Sequence, residues 1–395
     1  MDMVNLSPLE GIRVVEFTTA WVGPGCGMML AEMGAEVIRI DNPELPDLHR
    51  RMPPYADGIE GLNRAGLHAL YNRGKKECIL DLKKAEAVET AKDMIRKTDI
   101  VITNFAPRVM DSLGLGYSVL QSVKPDLIMV SASGYGATGP DKDCLAYGAV
   151  LEAYAGLDSL IGYPGGPPQG CGLPISDHTA ATLGAFAALS ALHHRDLTGE
   201  GQFIDFSEVE GLLACIPDAV MEFTMNGNTP QPQGNKDDYM APHGCYKCRG
   251  DDQWVAIAVQ TADEWRSFCR AIGSSELCED DRFRDRAERV KNEDSLNEII
   301  TEWTGKYNHM EVMEKLQEVG VAAVPVYTAE EFYRDPHIRD RGFFVACEHP
   351  ETGTRELPGV FAKLSETPGK VQGREALQGE HSDWVLTTLL ASEDK

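Results

Sequence analysis

Ile12-Arg-Val-Val-Glu-Phe17, Gly23-Pro-Gly-Cys-Gly-Met28 and Glu36-Val-Ile-Arg-Ile-Asp41 follow one another closely near the start of the chain. The first and third are short runs with buried-strand composition, and the stretch from Gly23 to Met33 between them reads as a turn and a helix. Strand, helix and strand in that order make a crossover unit, which pairs its strands in parallel. Outward from this unit the pattern repeats. Glu77–Leu82, Asp99–Phe105, Asp126–Ser131 and Gln202–Phe206 have strand character, and a helix is predicted over Ala85–Lys97. The fold class is therefore α/β, a parallel sheet covered by helices.

The composition changes after residue 225. Asn226-Gly-Asn-Thr-Pro-Gln-Pro-Gln-Gly-Asn-Lys-Asp-Asp238 is polar and almost without apolar residues, as a linker or surface loop would be. Beyond it, Gly244–Cys248 and Gln253–Val259 predict a hairpin, with helices around Ala262–Ile272 and Leu296–Thr304. Val321–Val326 and the tail from Arg341 return to strand character. The expected organisation is a large domain begun by residues 1–225, a smaller α+β domain with linkers over 226–325, and a segment 326–395 that rejoins the large domain.

The 395 residues are enough for two domains. Lys and Arg number 37 against 62 for Asp and Glu, a net charge of -25, which argues against nucleic acid or an anionic membrane as the main partner. Apolar runs stop well short of the roughly 20 residues of a membrane span. Met1–Pro8 has no basic stretch leading into an apolar one, and the 10 cysteines are scattered, so reduced thiols in cytoplasm are expected. Only Cys245-Tyr-Lys-Cys248 has metal-like spacing, and it lacks a second close pair; no metal is expected.

Four places invite chemistry. The glycines at 23, 25 and 27 resemble a dinucleotide turn, yet Met28 stands where the G-x-G-x-x-G fingerprint needs its last glycine. Close packing of strand on helix is the simpler account of them. Asn104 and Phe105 end a predicted strand, where open α/β sheets bind ligands; an amide can read an adenine edge and a ring can cover its face, while Arg108 could meet a phosphate. The glycine-dense Ser131–Pro140 would let backbone N–H groups approach a thioester. Finally, Gly170-Cys-Gly-Leu-Pro-Ile-Ser-Asp177 leads into a helix of small apolar residues, Ala180–Leu192. Ser176 or Asp177 suits an N-cap; Asp177 also suits a nucleophile held at a helix start.

Together these motifs resemble the family III CoA-transferases, the group of the formyl-CoA, carnitine and benzylsuccinate CoA-transferases. The resemblance is carried by Pro8–Phe17, Gly34–Ile40, Cys78–Lys83, Asp99–Phe105, Ser133-Gly-Tyr-Gly136, Ser176-Asp177 and Thr198–Asp205. It implies a Rossmann-like large domain made from both chain ends, an inserted small domain, and an interlocked homodimer. A heteromer with a homologous subunit stands as the alternative assembly, and an inactive partner subunit as the alternative role. It implies Asp177 as nucleophile, CoA as substrate held by Leu80, Lys83, Asn104 and Phe105, to which Arg108 is added from its place near a helix start, a loop with Gly134 and Tyr135 beside the thioester, and an acid pocket at Trp21, Val22 and Tyr147. The implied partners are an acyl-CoA donor and a carboxylic acid acceptor. Trp21, Ser133 and Ser112 depart from the Gln, Lys and Arg of formyl-CoA transferase, and its small-domain glycine run is missing near Gly244, so the acid pair is left open. The 2-methylacyl-CoA racemases are the rival reading. They carry a His where Tyr147 stands, and a phenol with its usual pKa of about 10 is a poor base at neutral pH.

Overall fold

The structure is a computed structural model and describes residues 7–392. Six strands, β1 (Arg13–Phe17), β2 (Glu36–Asp41), β3 (Lys76–Ile79), β4 (Ile100–Thr103), β5 (Ile128–Ser133) and β6 (Phe203–Ser207), form one sheet in the order β3-β2-β1-β4-β5-β6. Every pairing in it is parallel. Val14, Val15, Phe17, Ile38, Ile100, Val101, Ile102, Ile128 and Val130 are fully buried, because helices cover both faces; that is why the strands read as continuous apolar runs and not as alternating ones. The strand order reverses between β1 and β4, and the loops leaving these two strands flank the crevice where open α/β sheets take their ligands.

The helices of this unit are α1 (Val22–Glu32), α2 (Gly66–Asn72), α3 (Ala85–Arg96), α4 (Pro107–Ser112), α5 (Tyr117–Val123), α6 (Gly148–Tyr154), α7 (Ile175–Thr198), α8 (Glu208–Leu213) and α9 (Pro217–Asn226). Gly23–Met28 thus lies inside α1 and not in a turn before it. The glycines serve contact: a Cβ on Gly27 would fall 2.0 Å from Glu16 Oε2, and one on Gly25 would fall 2.9 Å from the Ala181 Cβ of α7. Glu16 is itself buried and paired with Lys75, Nζ to Oε1 2.8 Å. Arg39 with Asp47 (2.8 Å) and Arg50 with Glu77 (2.6 Å) are further buried ion pairs around β2 and β3.

The chain divides into two compact units. The first runs to Leu157, takes up again over Gly170–Thr229 and resumes at His337; the second is Asp158–Gln169 with Pro230–Pro336. In the second, β7 (His243–Lys247), β8 (Trp254–Ala258) and β9 (Ala322–Pro325) pair antiparallel in that order. Trp265, Phe268, Phe283, Leu296, Ile300, Val312 and Leu316 fill its core. The returning segment of the first unit forms an antiparallel hairpin, β10 (Phe344–His349) and β11 (Gly353–Pro358). It then reaches the outer strand β3, where His381 N donates to Glu77 O (2.9 Å) and Ile79 N donates to Ser382 Oγ (3.1 Å).

Candidate active site

Pro174 is the N-cap of α7, so the helix begins before Ala180, and Asp177 sits in its first turn without being a cap. A proline there fits because its missing N–H would have had no partner in the helix. Around the Asp177 carboxylate the first unit is tightly built. Asp177 Oδ2 accepts from Ser176 Oγ at 3.4 Å, and Ser176 N donates to Glu152 Oε1 of α6 at 3.3 Å. Cys171 Sγ donates to the other oxygen of Glu152 at 3.2 Å. Gly148 opens α6 directly against the carboxylate: a Cβ there would lie 2.3 Å from Asp177 Oδ2 and 2.8 Å from Ser176 Oγ.

Burial pushes the Asp177 carboxyl up from the usual 3.8 to about 6, against the opposing charge of His178 and the Ser176 hydrogen bond. At neutral pH the group is still mostly ionised, yet it is poorly solvated, which is what a carboxylate needs to attack a thioester. His178 is fixed beside it. Its Nδ1 lies 2.7 Å from Pro174 O, to which it donates, and its Nε2 lies 2.6 Å from the Tyr71 hydroxyl. Trp21 stands edge-on to His49 at 4.4 Å between ring centroids, and His49 lies 5.2 Å from Tyr71. The aromatic wall leading to Asp177 therefore runs Trp21, His49, Tyr71, His178.

Glu208, the first residue of α8, is 7 % exposed. Burial first, and the Asp177 charge second, push its carboxyl up to about 8. Sequence reasoning missed Glu208, Gly148 and Tyr71. Ser207-Glu208-Val209-Glu210 reads as a capped helix start with ordinary first-turn acids, and Ser207 Oγ does accept from Glu210 N (3.4 Å); nothing local marks one acid as buried.

Other candidates are spread around this centre. Val22 is buried against Ala132, Ala180 and Phe206 at the start of α1. Asn104 bridges the two crevice loops: Thr19 N donates to its Oδ1 (2.9 Å) and its Nδ2 donates to Thr19 O (2.8 Å). Leu80 and Phe105 pack on the core on one side of the sheet, Arg108 is exposed on the first turn of α4, and Lys83 pairs at the surface with Glu44 (2.8 Å). The Gly134 carbonyl accepts from Val209 N (3.1 Å), and Tyr135 meets Tyr154 edge-on at 5.1 Å. Tyr147, the residue before α6, is 73 % exposed, and its neighbour Gly148 meets Asp177. Cys245 is exposed and Cys248 buried, and among the described residues no group of three or more His, Cys, Asp or Glu is placed to hold a metal ion.

A parallel sheet with a reversal point, a desolvated carboxylate on a helix start and glycine-lined approaches define an α/β enzyme suited to acyl chemistry. The sequence profile of CoA-transferase family III matches residues 9–382, and the chain belongs to that family. Its activity is CoA transfer, and the substrates of such enzymes are CoA thioesters. The chain is 33% identical over 387 residues to a succinyl-CoA–D-citramalate CoA-transferase of Chloroflexus aurantiacus, covering 97% of this chain and 94% of the relative. It is 33% identical over 384 residues to a succinyl-CoA–L-malate CoA-transferase alpha subunit from Chloroflexus aurantiacus, covering 97% and 89%. Among solved structures, a CAIB/BAIF family protein from Brucella suis superposes with a TM-score of 0.88 at 27% identity, covering 97% of this chain and 99% of the other.

Proposed function

We propose that Asp177 is the nucleophile of a CoA-transferase that moves CoA from succinyl-CoA to a second carboxylic acid. The observation that carries this reading is the partly desolvated Asp177 carboxylate packed against Gly148, where a side chain would fill the approach. Asp177 attacks the thioester carbonyl, forming a mixed anhydride and releasing CoA thiolate. The thiolate attacks the aspartyl carbonyl, the donor acid leaves as its carboxylate, and Asp177 carries CoA as a thioester. The acceptor carboxylate attacks this thioester, giving a second anhydride and thiolate again; the thiolate takes the acceptor acyl group and Asp177 is restored. Each step exchanges one leaving group for one nucleophile, and no net proton is consumed. Anhydrides demand that water be kept out and that the thiolate stay close, which contacts to the distant nucleotide supply.

In this reading Leu80, Lys83, Asn104, Phe105 and Arg108 hold the nucleotide end of CoA, Gly134 and Tyr135 border the thioester, and Trp21, Val22 and Tyr147 flank the acid. Succinyl-CoA as donor rests on the names of the two Chloroflexus relatives. We read the assembly as a homodimer, interlocked as the family resemblance implies. Exposed apolar side chains support a partner: Phe186 (68%) and Leu197 (72%) on α7, Phe223 (60%) and Met225 (71%) on α9. The deciding experiment is peptide mass spectrometry after incubation with succinyl-CoA. A CoA-sized adduct on the Asp177 peptide, absent from Asp177→Ala, is expected. No adduct with any acyl-CoA, together with solvent deuterium at C2 of a 2-methylacyl-CoA, would move the chain to racemase chemistry.

A further inference from the structure

The amino-terminal ends of three helices converge in the first unit. Gly148 of α6 touches the Asp177 carboxylate of α7, and α8 lies against both helices: Val209 and Leu212 share a cluster with Leu151 and Ala155, and a Cβ on Gly211 would lie 3.3 Å from Leu183 Cδ1. Glu208 begins α8 at this meeting point. The residue is 7 % exposed, and among the described residues its carboxyl has no hydrogen-bond or ion-pair partner. A buried carboxyl without a cation is held as the neutral acid, which has an O–H to give.

The titratable groups on the neighbouring elements offer nothing to change that. Glu152 of α6 is engaged by Ser176 and Cys171, Asp205 of β6 by Ala137 N (2.6 Å), and His178 of α7 by Pro174 and Tyr71. Glu210 of α8 itself is also acidic. The charge that acts on Glu208 is that of Asp177.

We propose that Glu208 is an acid-binding residue: its carboxylic O–H donates to a carboxylate oxygen of the free substrate acid as that acid lies beside Asp177. The inference rests on Asp177 being the nucleophile. A free acid reaches the site as an anion, in a chain of net charge -25 and near Glu152, while Asp177 is held as its CoA thioester. An ionised Glu208 would repel it; a neutral Glu208 binds it by a charge-assisted hydrogen bond and keeps its proton throughout. In the resting site the two neighbouring carboxyls thus take opposite forms, Asp177 ionised and ready to attack, Glu208 protonated and kept so when the acid arrives.

The test is exchange of labelled succinate into succinyl-CoA, which uses one acid as donor and acceptor. If wild type does not exchange succinate, whichever acyl-CoA labels Asp177 is used with its own acid. Glu208→Leu is expected to raise the KM for the free acid roughly ten- to a hundredfold while the CoA adduct still forms on Asp177. Glu208→Gln, which keeps a neutral donor, is expected to hold the acid KM near the wild-type value. In wild type that KM is expected to rise as pH passes about 8, where Glu208 ionises, and in Glu208→Gln the rise is expected to disappear. An unchanged acid KM in Glu208→Leu, or the same alkaline rise in Glu208→Gln, overturns the proposal while an adduct on Asp177 leaves the nucleophile reading intact. Absence of the adduct from wild type sinks that reading instead.

Discussion

At the scale of single residues, the site trades stability for reactivity. The folded-state pKa of Asp177, about 6, lies above its unfolded value of 3.8, so folding favours the protonated form. The resulting penalty is absent below pH 3.8, grows as pH rises and is complete above about 6. Asp177→Asn is accordingly expected to abolish transfer and to stabilise the protein at pH 7 by about 1–3 kcal/mol in urea unfolding. Transfer by wild type is expected to fall as pH drops through about 6, as the carboxylate is lost. Gly148→Ala puts a methyl 2.3 Å from Asp177 Oδ2. If Asp177 is the nucleophile as proposed, a roughly hundredfold lower kcat is expected, with a thermal midpoint close to wild type, because the shift falls on its carboxylate. Asp177 could be singled out as a candidate from sequence because Ser176-Asp177 stands in a recognisable run. Glu208 and Gly148 could not, because their significance arises only where three helices, separated in sequence, bring their ends together.

At the scale of elements, the parallel strands were legible because their burial on both faces leaves unbroken apolar runs; β2 spans the expected Glu36–Asp41, and α3 differs from expectation by its last residue. The start of α1 was not, because glycines that usually mark a turn here thin a helix so that it can lie on β1. That close approach places Glu16 against Lys75, which also donates to Pro24 O (2.7 Å). Removing one member leaves the other buried and uncompensated. Lys75→Ala is expected to cost about 3–5 kcal/mol of unfolding free energy, measured by denaturant titration. An effect near zero would mean that water enters beside Glu16. The segment Asp158–Gln169 could not be assigned from sequence either. It joins the second unit through non-local hydrogen bonds such as Gly234 N to Gly162 O (2.8 Å), which leave no local pattern.

At the scale of the whole molecule, the exposed apolar side chains of α7 and α9 carry the expectation of a partner. Sedimentation of wild type is expected to give a dimer, and Phe186→Asp, at a side chain 68% exposed, is expected to shift it toward monomer. A wild-type chain that sediments as a monomer would favour the heteromeric arrangement. The tail of the first unit returns to β3. That strand is the outer edge of the parallel sheet, and the groups that cap it, His381 and Ser382, come about 300 residues later in the chain. During synthesis the first six strands leave the ribosome long before their cover does, so the nascent sheet presents a raw edge for most of its birth. These later residues act as a latch, and a chain stopped ahead of Ala376 would keep Asp177 and its neighbours on a sheet whose β3 edge is open to other chains.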